Sequence, residues 1–106
     1  MDKLSMRQYV ALLETRIEET LKKWHRASRI EDGPVVQIEY QFEQAHIGLD
    51  IFWHDTEERV NIECRDPRMT RKDQLKGLTP ETITLIMDRV GNFAQIVQSR
   101  TYRQNK

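Results

Sequence analysis

Apolar residues recur at Met6, Val10, Leu13, Ile17, Leu21 and Trp24, in steps of three and four, and describe one stripe of an amphipathic helix. Ser5 followed by Gln8 supplies a capping box at its start, with Leu4 and Tyr9 placed as a hydrophobic staple. Glu18 with Lys22 and Glu19 with Lys23 add favourable i,i+4 pairs. The spacing predicts a helix that ends near Arg29, because Asp32-Gly33-Pro34 is a turn through which no helix continues.

The period then changes from 3.6 to two. Val36, Ile38, Tyr40 and Phe42 alternate with polar residues, as do Ile47, Leu49, Ile51 and Trp53, and then Val60, Ile62 and Cys64. Three such runs joined by short connections predict a three-stranded antiparallel meander with one apolar face. Asp66-Pro67 ends the third strand. The segment from there to Leu78 reads as a basic loop, with at most a helical turn from Thr70 that stops at Gly77. Thr79 as N-cap, Pro80 at the first helical position and Glu81 behind it start a second helix, with Ile83, Met87, Val90, Phe93 or Ala94, and Val97 as its buried stripe. Gly91 within that stripe suggests close approach of another backbone. The expected fold is α+β: a two-layer sandwich of helix, three-stranded antiparallel meander and helix, with both helices on one face of the sheet. Residues 1–98 form its single domain and 99–106 a polar, basic tail.

Register decides what the polar face carries. A first hairpin turning on Gln44-Ala45 sets Glu39 opposite Asp50, and a second turning on residues 55–58 sets Asp50 opposite Glu63. Glu39, Asp50 and Glu63 would then stand in one row, a like-charge arrangement that calls for a cation or a basic partner. A two-residue turn, Asp55-Thr56, instead sets Asp50 opposite Asn61 and Arg59 opposite Phe52. The four-residue turn is favoured, because Asp-Thr lacks the residue that tolerates positive φ at its second place.

Composition changes this picture in one respect. The 106 residues carry 17 basic and 17 acidic side chains, a net charge of zero, but unevenly. Residues 1–30 hold seven Lys/Arg and four Asp/Glu, 31–63 hold one and nine, and 64–106 hold nine and four. An acidic middle between basic ends gives a dipolar surface able to meet a charged partner. Length confines the chain to one core. No apolar run approaches the ~20 residues of a membrane span, and Met1 to Arg7 do not read as a secretory signal. One cysteine, Cys64, allows no internal disulfide, and the expected compartment is the cytoplasm.

Three functional readings follow. The first is a non-enzymatic protein-binding or adaptor module without cofactor, its contact surface made of Glu39, Asp50, Phe52, Glu63, Arg65, Arg68, Arg71, Lys72 and Lys76. A homodimer through an overhanging first helix accompanies it. The second is nucleic-acid binding by the basic 65–76 segment and the C-terminal tail. The third is a divalent-metal site, Mg²⁺ or Mn²⁺ on Glu39, Asp50 and Glu63. Asp50 on one strand and Glu63-Cys64-Arg65 on the next resembles the acid and Glu-x-Lys pattern of the restriction-endonuclease-like nucleases, and the resemblance implies Asp50, Glu63 and Arg65 as catalytic residues. Arg65 departs from that pattern, since an arginine cannot release a proton to assist water. His46 and His54 are too far apart along one strand to share a metal, His25 sits among basic residues, and Cys64 falls on the apolar face.

Overall fold

A computed structural model describes residues 5–54 and 57–104, with side chains described as far as Arg100. The element order is α1 (Met6–Thr20), β1 (His25–Asp32), β2 (Val35–Phe42), β3 (Ala45–His54), β4 (Glu57–Asp66), β5 (Met69–Lys76) and α2 (Pro80–Gln104). The five strands form one antiparallel sheet in sequence order. The fold is α+β with the helices at the two ends of the chain, as the periodicities require, but the meander has five strands and not three.

The capping box forms as expected. The Gln8 N–H donates to Ser5 Oγ at 3.2 Å and the Ser5 N–H to Gln8 Oε1 at 2.9 Å. The Leu4 half of the staple lies outside the described residues. α1 stops at Thr20, nine residues before Arg29: the Leu21 N–H closes the last turn on the Ile17 carbonyl at 2.7 Å, and the chain then turns. Leu21 and Trp24 still reach the core, so the stripe persists after the helix has ended. Lys22 and Lys23 fall in the turn, past the helical geometry assumed for their pairs with Glu18 and Glu19. At 15 residues α1 is about 22 Å long, shorter than the ten-residue β3 at about 33 Å, so the overhang that argued for self-association through this helix does not exist.

The segment after Trp24 is β1, exposed along its whole length and paired to β2. Its polar sequence shows no alternation because neither of its faces is buried, and what places it is the hairpin at Gly33-Pro34, where Gly33 takes φ +58° as the first central residue of a two-residue turn. The basic segment after Asp66 is likewise a strand. Asp66 Oδ1 accepts the N–H groups of Arg68 and Met69, folding Pro67-Arg68 into a tight turn that returns the chain as β5. Gly77 follows β5 at φ +83° and ends no helical turn.

The β2–β3 hairpin, the first of the two expected, turns on Glu43-Gln44, with Phe42 opposite Ala45; Glu43 sits at φ +54°, its carbonyl accepting from the Gln41 side-chain amide. The second pairs His54 with Glu57, leaving two residues for its connection and not four. Both registers therefore differ from the favoured ones.

The apolar rows of β2, β3 and β4 face the two helices and close one hydrophobic cluster with Tyr9, Leu13, Ile17, Ile83, Ile86, Val90 and Phe93. Trp24 packs on Phe42 and Phe93, and its indole N–H donates to Gln98 Oε1 at 3.2 Å. Thr79 caps α2, which continues helically to Gln104 through residues read as the start of a tail. An added Cβ at Gly91 would meet nothing within 4 Å, so no backbone approaches there. No described helix is long and apolar enough to cross a membrane.

Candidate functional site

No described element covers the sheet face opposite the helices, and its side chains stand in rows set by the register. One row runs Ser28, Glu39, Gly48, Glu63 and Lys72; the next runs Ile30, Gln37, Asp50, Asn61 and Gln74. Asp50 thus opposes Gln37 and Asn61, both uncharged, and the predicted row of three carboxylates is not formed. The physical reason is where the turns fall: the β2–β3 turn sits one residue earlier, on Glu43-Gln44, and the β3–β4 connection has two residues and not four, which shifts each pairing by two residues against the register favoured from sequence and keeps the apolar face intact.

The acids nevertheless surround one point. Glu39 and Glu63 flank Gly48 from either side, and Asp50, two residues along β3, is the diagonal neighbour of both, at about 7–8 Å. Because Gly48 has no side chain, the centre of this triangle is open: a shallow depression of about 490 Å³ is lined by Glu39, Gly48, Asp50, Asn61, Glu63 and Lys72. Nothing in the backbone demands glycine at 48, since an added Cβ would come no closer than 4.0 Å to another atom. The glycine removes a side chain where the surface would otherwise be filled, a position that favours close approach by a ligand or another chain.

The counter-charges are arranged on one side. Lys72 Nζ lies 3.6 Å and Arg65 Nη1 3.9 Å from the Glu63 carboxylate. His46 Nδ1 lies 3.1 Å from Glu39 Oε1. These contacts are exposed and individually weak, on the order of 0–1 kcal/mol each. Asp50 has no ion-pair partner among the described residues. Asn61 accepts a hydrogen bond from the Gln74 side-chain amide at 3.0 Å, which fixes the floor of the depression beside Asp50.

Towards the other end of the same face, the Arg59 guanidinium lies 4.5 Å over the Phe52 ring, and Phe52 stacks on His54 at 6.1 Å. Arg59 also pairs with Glu57, and Lys76 is its neighbour on β5. The segment 65–76 is therefore divided by the pleat. Arg65 and Lys72 belong to the outer face with Glu63, whereas Arg71 turns to the helix side, beside α2, and Arg68 occupies the β4–β5 turn.

A metal reading finds no support in this arrangement. Among the described residues no three His, Cys, Asp or Glu side chains come together in a way that could hold a metal ion. Arg65, where the nuclease resemblance needs a proton-releasing lysine, faces the Glu63 carboxylate as its counter-ion. Cys64 is buried on the apolar face, as its place in the alternation requires, and burial, with Asp73 and Glu63 nearby, pushes its thiol up to about 12, far from a nucleophilic thiolate.

Sequence reasoning named Glu39, Asp50 and Glu63 but missed Gly48 and His46. The signal for Gly48 was present: a glycine at an outer position in the middle of an otherwise well-patterned strand. The signal for His46 was not, because its relation to Glu39 depends on the hairpin register. Compared with known proteins, the chain matches no family, no curated protein and no solved structure.

Proposed function

We propose that this protein is a non-enzymatic binding module that receives a basic segment of a partner protein on the outer face of its sheet, an arginine or lysine side chain entering the depression over Gly48. The observation that carries the reading is the acidic triangle around a missing side chain, in which Asp50 has no cation of its own among the described residues. Charge complementarity selects the occupant, since a basic side chain would meet Asp50 directly and Glu39 and Glu63 at the margins. Lys72 and Arg65 border the same depression and would orient an incoming segment by attracting its acidic residues. The single free, buried cysteine supports the expectation of a reducing compartment, the cytoplasm.

A short arginine- and lysine-rich peptide titrated into the labelled protein tests this. Amide shifts should concentrate at Gly48, Asp50 and Asn61, weaken with added salt, and disappear on Asp50→Lys. Undiminished binding after charge reversal of Glu39, Asp50 and Glu63 together would discard the reading.

A second reading, nucleic-acid binding, draws on a separate observation, the Arg59-on-Phe52 stack with Lys76 beside it, which offers a cation and a ring on one exposed face. The acidic centre of the sheet opposes it. A single-stranded oligonucleotide should then shift Phe52 and Arg59 and leave Gly48 unmoved, with an affinity that falls steeply with salt.

A further inference from the structure

The two edges of the sheet differ in what they offer a second copy of the chain. In an antiparallel pairing across a two-fold axis, residues on the same face must meet, so the axis passes through one residue that faces itself. For β1 the axis at Ile30 brings Ile30 against Ile30, Arg29 against Glu31 of the second copy on both sides of it, and Ser28 against Asp32 beyond. Every charged pair is then of opposite sign. Moving the axis one residue either way sets Arg29 against Arg29 or Glu31 against Glu31.

The backbone agrees with the same axis. Asp32 and Val35 close a two-residue hairpin, so Ile30 and Asp32 direct their N–H and C=O groups towards β2, while those of Arg29 and Glu31 point to the free edge. Arg29 and Glu31 are the residues that the Ile30 axis pairs; within one chain Arg29 already lies 3.2 Å from Glu14 of α1 and 3.5 Å from Glu31, so the contact across the axis joins two such clusters in which the acids and the guanidinium alternate. A bulge between Arg26 and Ser28 leaves the first part of β1 irregular and confines a regular ladder to Ser28–Asp32. Ile30 is 54% exposed, more than Leu12 at 41% or Leu85 at 42%, and it stands at the centre of this stretch. At the other edge, the equivalent axis, two residues from the hairpin-closing Met69, passes through Arg71 and sets arginine against arginine, a like-charge contact of the kind by which edges are kept apart.

We infer that β1 is a self-complementary edge through which two copies of this chain pair antiparallel about Ile30, joining their sheets into one of ten strands. Both acidic depressions then lie on the same continuous face, so a partner with two basic segments would be held at two points. The inference does not depend on what occupies the depression.

Sedimentation equilibrium up to about 1 mM protein tests it. The native chain should dimerise, and Ile30→Lys and Glu31→Arg, neither of which touches a helix, should each weaken the dimer about tenfold or more while leaving circular dichroism unchanged. Arg29→Glu should weaken the dimer as well; since Arg29 also pairs with Glu14 of α1, its circular dichroism must first show that the variant is folded. Mixed with Glu31→Arg it should restore association, because the two variants then present opposite charges to each other. Leu12→Lys, on the helix layer, should leave the dimer intact. A chain monomeric throughout that range, a dimer insensitive to Ile30→Lys and Glu31→Arg, or folded charge variants that fail to associate when mixed would each overturn the inference.

Discussion

Arg100, near the end of α2, donates from Nη1 to Asp66 Oδ2 at 2.9 Å, and so ties the helix to the turn between β4 and β5. The Asp66 side chain is 7% exposed, and its other oxygen already accepts two backbone N–H groups. One carboxylate therefore holds both the turn and the helix.

The two partners of that contact should be unequal in a urea unfolding series. Asp66→Ala leaves two turn amides and a guanidinium without their acceptor and should cost about 2–4 kcal/mol. Arg100→Ala leaves the turn amides satisfied and should cost about 1 kcal/mol. Equal losses would show that the turn does not depend on Asp66.

Gly91→Ala should stabilise the protein by up to about 1 kcal/mol, because the residue lies inside α2 and its added Cβ meets open space. The expected readout is a higher thermal midpoint with unchanged spectra.

Tyr9 is fully buried, and among the described residues its hydroxyl makes no hydrogen bond of good geometry, the Thr82 side chain being the polar group close enough to act on it. Tyr9→Phe removes that unpaired group and should be neutral or stabilising at pH 7, since an unsatisfied buried hydroxyl costs about 1–3 kcal/mol. Burial pushes the Tyr9 hydroxyl up from 10.0 to about 12. A raised folded value means that the fold keeps its full stability below pH 10, where both states are protonated, and loses some as pH rises from there through about 12, because the unfolded chain ionises first. Alkaline unfolding curves of Tyr9→Phe should therefore be flatter than those of the native chain across that window. Curves that run parallel would refute the assignment.

Cys64 should resist thiol reagents at about pH 8 while the chain is folded and react at once in denaturant. Its thiol is buried and pushed up to about 12 by that burial, so thiolate forms only when β4 opens. Rapid labelling of native protein would contradict its place on the inner face.

The sequence determined this protein's layers. Two stripes at helical spacing and three runs at period two assigned the large core residues of β2, β3 and β4, those of α1 except Tyr9, and most of α2 to the inner face, because burial selects residue type directly. Ser5-Gln8 and Thr79-Pro80 located both helix starts, since capping is local chemistry. What remained illegible depends on pairing. β1 and β5 are edge strands whose polar residues carry no alternation, and they are strands because β2 and β4 offer them ladders. Leu21 and Trp24 continue the α1 stripe by identity, yet the chain has left the helix and buries them from a turn. The acidic site follows the same division. Parity placed Glu39, Asp50 and Glu63 on one face, but only the tertiary register set Gly48 between two of them, because a shift of two residues keeps every apolar residue on the inner face while it changes which charges stand opposite one another.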